Sequence, residues 1–170
     1  PLAGPVVSAA VILKDKARLP GLNDSKKLSA SNRHRLFNLI LQNCLDYAIT
    51  AIPHQIVDQV NISNAIRCAN DLCIRSLKLR PDIALIDGID KQIIKIPFYT
   101  IVRGDSHVRS IAAASILAKY ARDAIMCHYA KEFPQYGFDS HMGYGTRRHR
   151  TALIKHGFCA IHRKSFKFKS

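Results

Sequence analysis

Acidic residues are scarce in this chain. Twelve Asp and Glu stand against 26 Lys and Arg, giving a net charge of +14 and an isoelectric point near 9.9. Such a deficit argues against a surface made for cationic partners and favours polyanions, nucleic acid foremost. Long apolar runs are missing too: no stretch approaches the roughly 18 apolar residues that a transmembrane helix requires, so no membrane association is expected. The N-terminus, PLAGPVVSAAVILKDK, has an apolar segment but lacks the preceding positive charges of a signal peptide. The five cysteines (Cys44, Cys68, Cys73, Cys127 and Cys159) are odd in number and show neither CxxC nor Cys/His metal spacing. A disulfide framework and a zinc site are thereby set aside, and buried free thiols in a reducing cytoplasm are expected. Internal repeats and low-complexity linkers are also absent. A length of 170 residues then makes one domain, or one domain with a small appendage.

The positive charge that is present is unevenly spread. Residues 141–170 hold Arg147, Arg148, Arg150, Lys155, Arg163, Lys164, Lys167 and Lys169 with no acid, which is 8 of the 14 net charges. This segment is either a solvated basic tail or a surface for phosphate.

Periodicity and punctuation order the chain. Residues 5–13 read as a strand, and a helix capped by Ser29 or Ser31 follows with Leu36, Leu39 and Ile40 at helical spacing. A second strand spans 45–52 and ends at Pro53. A short helix is predicted over 54–60, and Asn61 caps another that runs from 62 to about 77. Strands over 83–87 and 98–103 come next. The longest helix is predicted from Ser106 to about Glu132, with Ile111, Ala114, Ala118, Ala121 and Ile125 on one stripe that invites close approach to a sheet or another helix. After a loop with several glycines, a last helix spans 146–156 and stops at Gly157. The pattern indicates an α/β fold with a mixed sheet flanked by helices. It divides into a core over 1–135 and a small basic helical segment over 136–170 that contributes to substrate binding.

Three groups could do chemistry. Asp87 and Asp105 each end an apolar run, 18 residues apart, where adjacent strands would bring their carboxyl ends together. Two close carboxylates repel, and oxygen ligands of this kind suit Mg²⁺ or Mn²⁺. The same residues also fit a turn at Asp87-Gly88 and a helix cap at Asp105-Ser106. Asp24, Ser25, Lys26 and Lys27 precede a helix and could offer amides, a hydroxyl and two cations to a phosphate, or simply form a capping turn. Gly143-Tyr144-Gly145-Thr146 lets backbone approach a ligand while Tyr144 offers a flat face to a sugar or base, or packs beside a turn. Arg163, in HRKSF, adds a basic residue next to an aromatic one.

Taken in order, PLAGPVVSAAVIL, LNDSKKLS, LIDG, VRGDSHVRSIAAASILAKYARD, FPQYGFDSHMGYGT and HGFCAIHRKSF resemble the ribonuclease HII (type 2 ribonuclease H) family in its bacterial form. The resemblance implies a ribonuclease H-like fold. It also implies an endonuclease that cuts the RNA strand of RNA/DNA hybrids and cleaves 5′ to single ribonucleotides in duplex DNA. Two divalent ions, Mg²⁺ or Mn²⁺, held by four carboxylates would drive hydrolysis. Asp87 and Asp105 match the third and fourth of those carboxylates. Tyr144 matches the tyrosine that packs on the ribose, Asp24, Ser25, Lys26 and Lys27 would meet the backbone, and Arg163 would add to substrate binding. A monomer is expected.

The family pattern also places Asp-Glu-x-Gly-Arg-Gly immediately before the position of Pro1, on a first strand central to the sheet. Neither is in these 170 residues. The chain as it stands is therefore expected to lack that strand and half of its metal site and to be impaired, while an intact parent would be active. Two readings without catalysis compete with this one: a basic nucleic-acid-binding module and a ribosome-associated protein. Both fit the charge, but both leave Asp87 and Asp105 repelling phosphate.

Overall fold

The computed structural model describes residues 1–89 and 91–167. Lys169, counted above in the basic segment, lies outside them. The N-terminal half is built on an antiparallel pair, β1 (Val6–Leu13) and β2 (Cys44–Ile52), in register from Val6 opposite Ile52 to Leu13 opposite Cys44 with an irregularity between Ile12 and Leu13. Alternation along these strands sends side chains to opposite faces. Ala9, Val11, Leu13 and Ile49 pack with Leu36 and Ile40 of α1 (Ala30–Asn43) and with Ala113, Ile116 and Leu117 of α5 (Arg109–Glu132). Val6 and Ile52 face the other way, onto Val57 of α2 (His54–Val60) and Ala65 and Ala69 of α3 (Ile62–Ser76). Ser29 caps α1 by accepting from the Asn32 amide, and Asn61 caps α3 from the Asn64 amide, with Asn61 itself at a φ of 68°.

The second sheet is parallel: β3 (Ala84–Asp87) pairs with β4 (Phe98–Ile101), Asp87 standing opposite Ile101. A mixed arrangement is thus present, as two separate two-stranded sheets among the described residues. Between β1 and β3 lies a cleft of about 790 Å³, walled by those two strands, by Cys73 and Ile74 of α3 and by Leu77 just after it, with Ala114, Ser115 and Ala118 of α5 beneath it.

The expected long helix is interrupted. A single turn, α4 (Gly104–His107), is followed by extended backbone at Val108 (φ −115°, ψ 118°), and α5 begins at Arg109 rather than Ser106. The stripe is shifted as well. Ile111, Ala112, Ala113, Ile116, Leu117 and Met126 are its buried positions, and Ala114 and Ala118 line the cleft instead.

The glycine-rich stretch after α5 is more ordered than a loop: a 3₁₀ turn over Pro134–Tyr136 and the short α6 (Phe138–His141) precede α7 (Arg147–His156), which Thr146 caps. Residues 136–161 bury Tyr136, Phe138, Ala152, Leu153 and Ile161 against Met126 and Ala3. The N-terminal segment is laced into this cluster by the amide of Leu2 on Gly143 O (2.7 Å), that of Gly4 on Ile161 O (2.9 Å) and that of Arg163 on Leu2 O (2.9 Å). No helix among the described residues is long and apolar enough to cross a membrane.

Candidate active site

Asp87 is the last residue of β3, and its carboxylate leaves the carboxyl end of the parallel pair. There Oδ1 accepts the amide hydrogen of Gly104 at 2.8 Å, while the Gly88 amide bonds Ile101 O at 3.0 Å. The two strand ends are thereby tied, and Asp105 follows one residue after the tie. Local backbone explains how. Arg103 takes the left-handed conformation (φ 53°, ψ 38°), which turns the chain sharply out of β4, and Gly104 fits because a Cβ there would meet Ile111 Cδ1 at 2.6 Å. Asp105 is 6% exposed, whereas Asp87 is open to solvent. The cap reading of Asp105 does not hold: it sits inside the first turn of α4, and neither α4 nor α5 has a side-chain cap.

The second group lies beside the first. Lys26 Nζ stands 3.9 Å from Asp105 Oδ2 with its side chain 78% exposed. A pair so exposed contributes less than about 1 kcal/mol to stability. Helix α1 starts only at Ala30, so residues 24–27 form a turn and not a helix N-terminus. Asp24 Oδ1 accepts from the Lys26 amide at 2.9 Å and fixes that turn. Ser25 is buried, with Oγ bonded to Ser115 Oγ of α5 at 2.8 Å and its carbonyl to Arg33 Nη1 at 2.5 Å. Its hydroxyl anchors the turn, leaving Lys26 and Lys27 outward.

Tyr144 is 47% exposed, with Lys119 Nζ 5.6 Å and Arg122 Cζ 5.5 Å from its ring centroid. Sequence reading missed these two cations and Ser115. Their spacing, 115, 119 and 122, puts all three on one face of a helix and was the signal available. Lys119 is held by Asp123 at 2.7 Å. Arg122 is 8% exposed and donates to Pro5 O (3.2 Å), Met142 O (2.9 Å) and Ala3 O (3.2 Å). It thus supports Met142, a non-glycine residue at φ 50°, directly before the Tyr144 turn. Left-handed residues of this sort cost about 1–3 kcal/mol, and here one precedes each of Gly104-Asp105 and Gly143-Tyr144.

Helix α5 therefore acts as a spine. Ile111 touches Gly104, Ser115 holds Ser25, and Lys119 with Arg122 flanks Tyr144. From 111 to 122 the axis rises roughly 16 Å, close to five base-pair steps of duplex. Arg163 is not brought to this surface. It is 2% exposed, donates to Gly4 O (3.0 Å) and Pro5 O (3.1 Å), and has its guanidinium 5.0 Å from the Phe166 ring. Arg147, Arg148, Arg150, Lys155, Lys164 and Lys167 are the outward cations of that segment.

Among the described residues no group of three or more His, Cys, Asp or Glu side chains is arranged to hold a metal ion. The donor set is two carboxylates, which suits a hard cation that completes its shell with water and substrate phosphate.

The profile of the ribonuclease HII family matches residues 1–169. A ribonuclease HII of Endomicrobium trichonymphae is 48% identical over 168 residues, covering 98% of this chain and 80% of that protein. One of Chlorobium chlorochromatii is 47% identical, covering 99% and 85%. Among solved structures, the ribonuclease H2 of Pyrococcus horikoshii superposes with a TM-score of 0.85 at 22% identity, covering 98% of this chain and 89% of that one. A ribonuclease HIII crystallised with Mn²⁺ gives 0.68 at 18% identity, covering 97% and 63%.

Proposed function

The chain belongs to the ribonuclease HII family, a family of metal-dependent endonucleases acting on RNA/DNA hybrids, and on that premise we propose that it cuts 5′ to single ribonucleotides in duplex DNA as well as within hybrid RNA. The observation that supports this most is the pairing of Asp87 with the Gly104 amide, which sets two carboxylates at the carboxyl end of β3 and β4 in line with Lys26 and Tyr144 along α5.

In this reading Asp87 and Asp105 hold Mg²⁺ or Mn²⁺, two ions in all when the site is complete. When bound, such ions lower the pKa of water and stabilise the leaving oxygen. The chain's own groups position the duplex. Lys26 and Lys27 meet backbone phosphates on a turn made rigid by Asp24 and Ser25, and the Tyr144 ring packs on the ribose whose 2′-OH distinguishes RNA from DNA. The basic segment from residue 136 onward adds phosphate contacts, among the described residues from Arg147, Arg148, Arg150, Lys155, Lys164 and Lys167. Arg163 serves this surface from inside, by fixing the backbone of residues 4–5. The five free thiols suit a cytoplasmic setting, although only Cys73 is buried as expected, with Cys44, Cys68 and Cys159 partly exposed and Cys127 on the surface.

The cleft between β1 and β3 suits one more strand, since an extended segment there would meet an open edge on each side. The expected Asp-Glu-x-Gly-Arg-Gly strand belongs in that position, and full activity is assigned to the protein that has it.

The test uses a DNA duplex with one ribonucleotide, Mg²⁺ or Mn²⁺, and two proteins: the 170-residue chain, and the chain with that strand and motif restored ahead of Pro1. The restored protein is expected to leave a nick on the 5′ side of the ribonucleotide, and its Asp105→Asn variant to leave none. Salt-sensitive binding with no metal-dependent nick would instead favour a binding module.

A further inference from the structure

Three histidines lie beneath the Tyr144 turn, and the nuclease chemistry makes no use of them. His149 and His162 are 0% exposed and His141 is 8% exposed. Their partners fix their tautomers. His149 Nδ1 stands 3.0 Å from Tyr144 O, and a carbonyl only accepts, so Nδ1 holds the proton. His149 Nε2 then offers a lone pair. It faces His162 Nε2 at 3.0 Å, which must donate. That leaves His162 Nδ1 as an acceptor, and the Cys159 amide donates to it at 2.9 Å.

These three links agree in direction, and the Cys159 amide at 2.9 Å outweighs the Cys159 carbonyl, 3.4 Å from the same Nδ1. Hydrogen bonds run from Cys159 N–H through His162 and His149 to the Tyr144 carbonyl. His141 closes the other side: its Nε2 donates to Tyr136 O at 2.9 Å, its Nδ1 accepts from the Gly143 amide at 3.2 Å, and its ring stacks on His149 with centroids 4.6 Å apart at 12°. The Tyr144 amide is held on His141 O at 2.8 Å. So the backbone of Gly143 and Tyr144 is clamped by imidazoles from below, while the phenol ring is left 47% exposed.

We propose that His149 and His162 are positioning residues: a directed pair of neutral imidazoles that links the C-terminal segment at Cys159 to the backbone of Tyr144 and so aims its ring at the substrate sugar. This rests on the reading of Tyr144 as the ribose-facing residue. An apolar side chain at 162 would fill the volume but strand the Cys159 amide, and one at 149 would leave the Tyr144 carbonyl with only the Thr146 amide at 2.8 Å, without the imidazole that ties it to the C-terminal segment. An ordinary buried histidine needs one partner per nitrogen; here the bond between the two Nε2 atoms exists only if the rings adopt opposite tautomers.

The test has two parts on the 170-residue chain. Long-range ¹⁵N–¹H spectra of the imidazoles at neutral pH are expected to show His149 protonated at Nδ1 and His162 at Nε2. The same tautomer on both rings overturns the proposal. Binding is then compared between a duplex with one ribonucleotide and the all-DNA duplex, in EDTA to prevent cleavage. His149→Phe is expected to lose about tenfold of the preference for the ribonucleotide, the scale on which supporting partners act. Its affinity for all-DNA duplex should stay unchanged, and the Tyr144 ring signals should shift. His149→Asn, whose amide can still donate to Tyr144 O, should recover most of the preference. A folded His149→Phe protein with full preference and unmoved Tyr144 signals overturns the proposal; if it does not fold, the tautomers and the Asn variant decide. A wild-type chain without ribonucleotide preference, but with the expected tautomers and Tyr144 shifts, strikes the reading of Tyr144 and leaves the clamp standing.

Discussion

At Gly143 a single added methyl group would meet the Ala3 carbonyl oxygen at 2.6 Å, on backbone at φ +76°. Neither the contact nor the conformation can relax cheaply, because Ala3 is itself tied by Arg122. Gly143→Ala is expected to cost about 1–3 kcal/mol, measured as a fall of several degrees in melting temperature. His162 supplies a second residue-scale prediction. Burial, aided by His149, pushes it down to about 4 from an unfolded value near 6.5. Its stabilising contribution is therefore complete above about pH 6.5 and is lost progressively as pH falls toward 4, where the unfolded chain binds the proton first. The groups facing this pair are His141, His54, Cys159 and the Pro1 amine, which burial and two arginines bring to about 6. Denaturation midpoints should drop across that window, and His162→Gln should flatten the drop. At this scale the sequence was legible where a side chain simply faces outward, as for Lys26, Lys27 and Tyr144. It was misleading at Arg163 and incomplete at Ser25, because charge and a hydroxyl do not reveal which way a side chain is folded.

Helix α5 couples the three groups, and its polar stripe is the element most exposed to test. Arg122→Met keeps much of the length but leaves the carbonyls of Ala3, Pro5 and Met142 without their donor. A loss on the order of 3 kcal/mol is expected in chemical denaturation, with the Tyr144 turn loosening before the β1–β2 pair. Most elements were readable from period and punctuation: His54–Val60 and the cap at Asn61 stand where Pro53 and Asn61 put them. The break at Val108 was not readable, since valine neither caps nor breaks a helix by itself. The break follows from tertiary demand: the chain must turn at Arg103 and Gly104 to tuck Asp105 inward before α5 can start.

For the whole molecule, charge and the divided sheet dominate. Duplex binding should weaken steeply with salt. Replacing exposed Arg147 and Arg148 with Ser should reduce the slope of log K against log salt by about 0.9 for each phosphate that the two arginines neutralise, without altering ribonucleotide preference. The amides of β1 that point into the cleft should exchange with solvent faster than those bonded to β2. The α/β architecture was legible from strand and helix order, and Asp87 from its place at a strand end, whereas Asp105 lies past β4, inside α4. Their union through the Gly104 amide was not, because it depends on a parallel register that no local pattern encodes. That union is central to the proposed chemistry, and the most direct measurement is a Mn²⁺ titration followed by electron paramagnetic resonance, with uncleavable all-DNA duplex bound. Saturable binding is predicted, weakened at least about tenfold by Asp87→Asn and again by Asp105→Asn, as expected when one of few oxygen ligands is removed. Undiminished Mn²⁺ binding in both variants would contradict it.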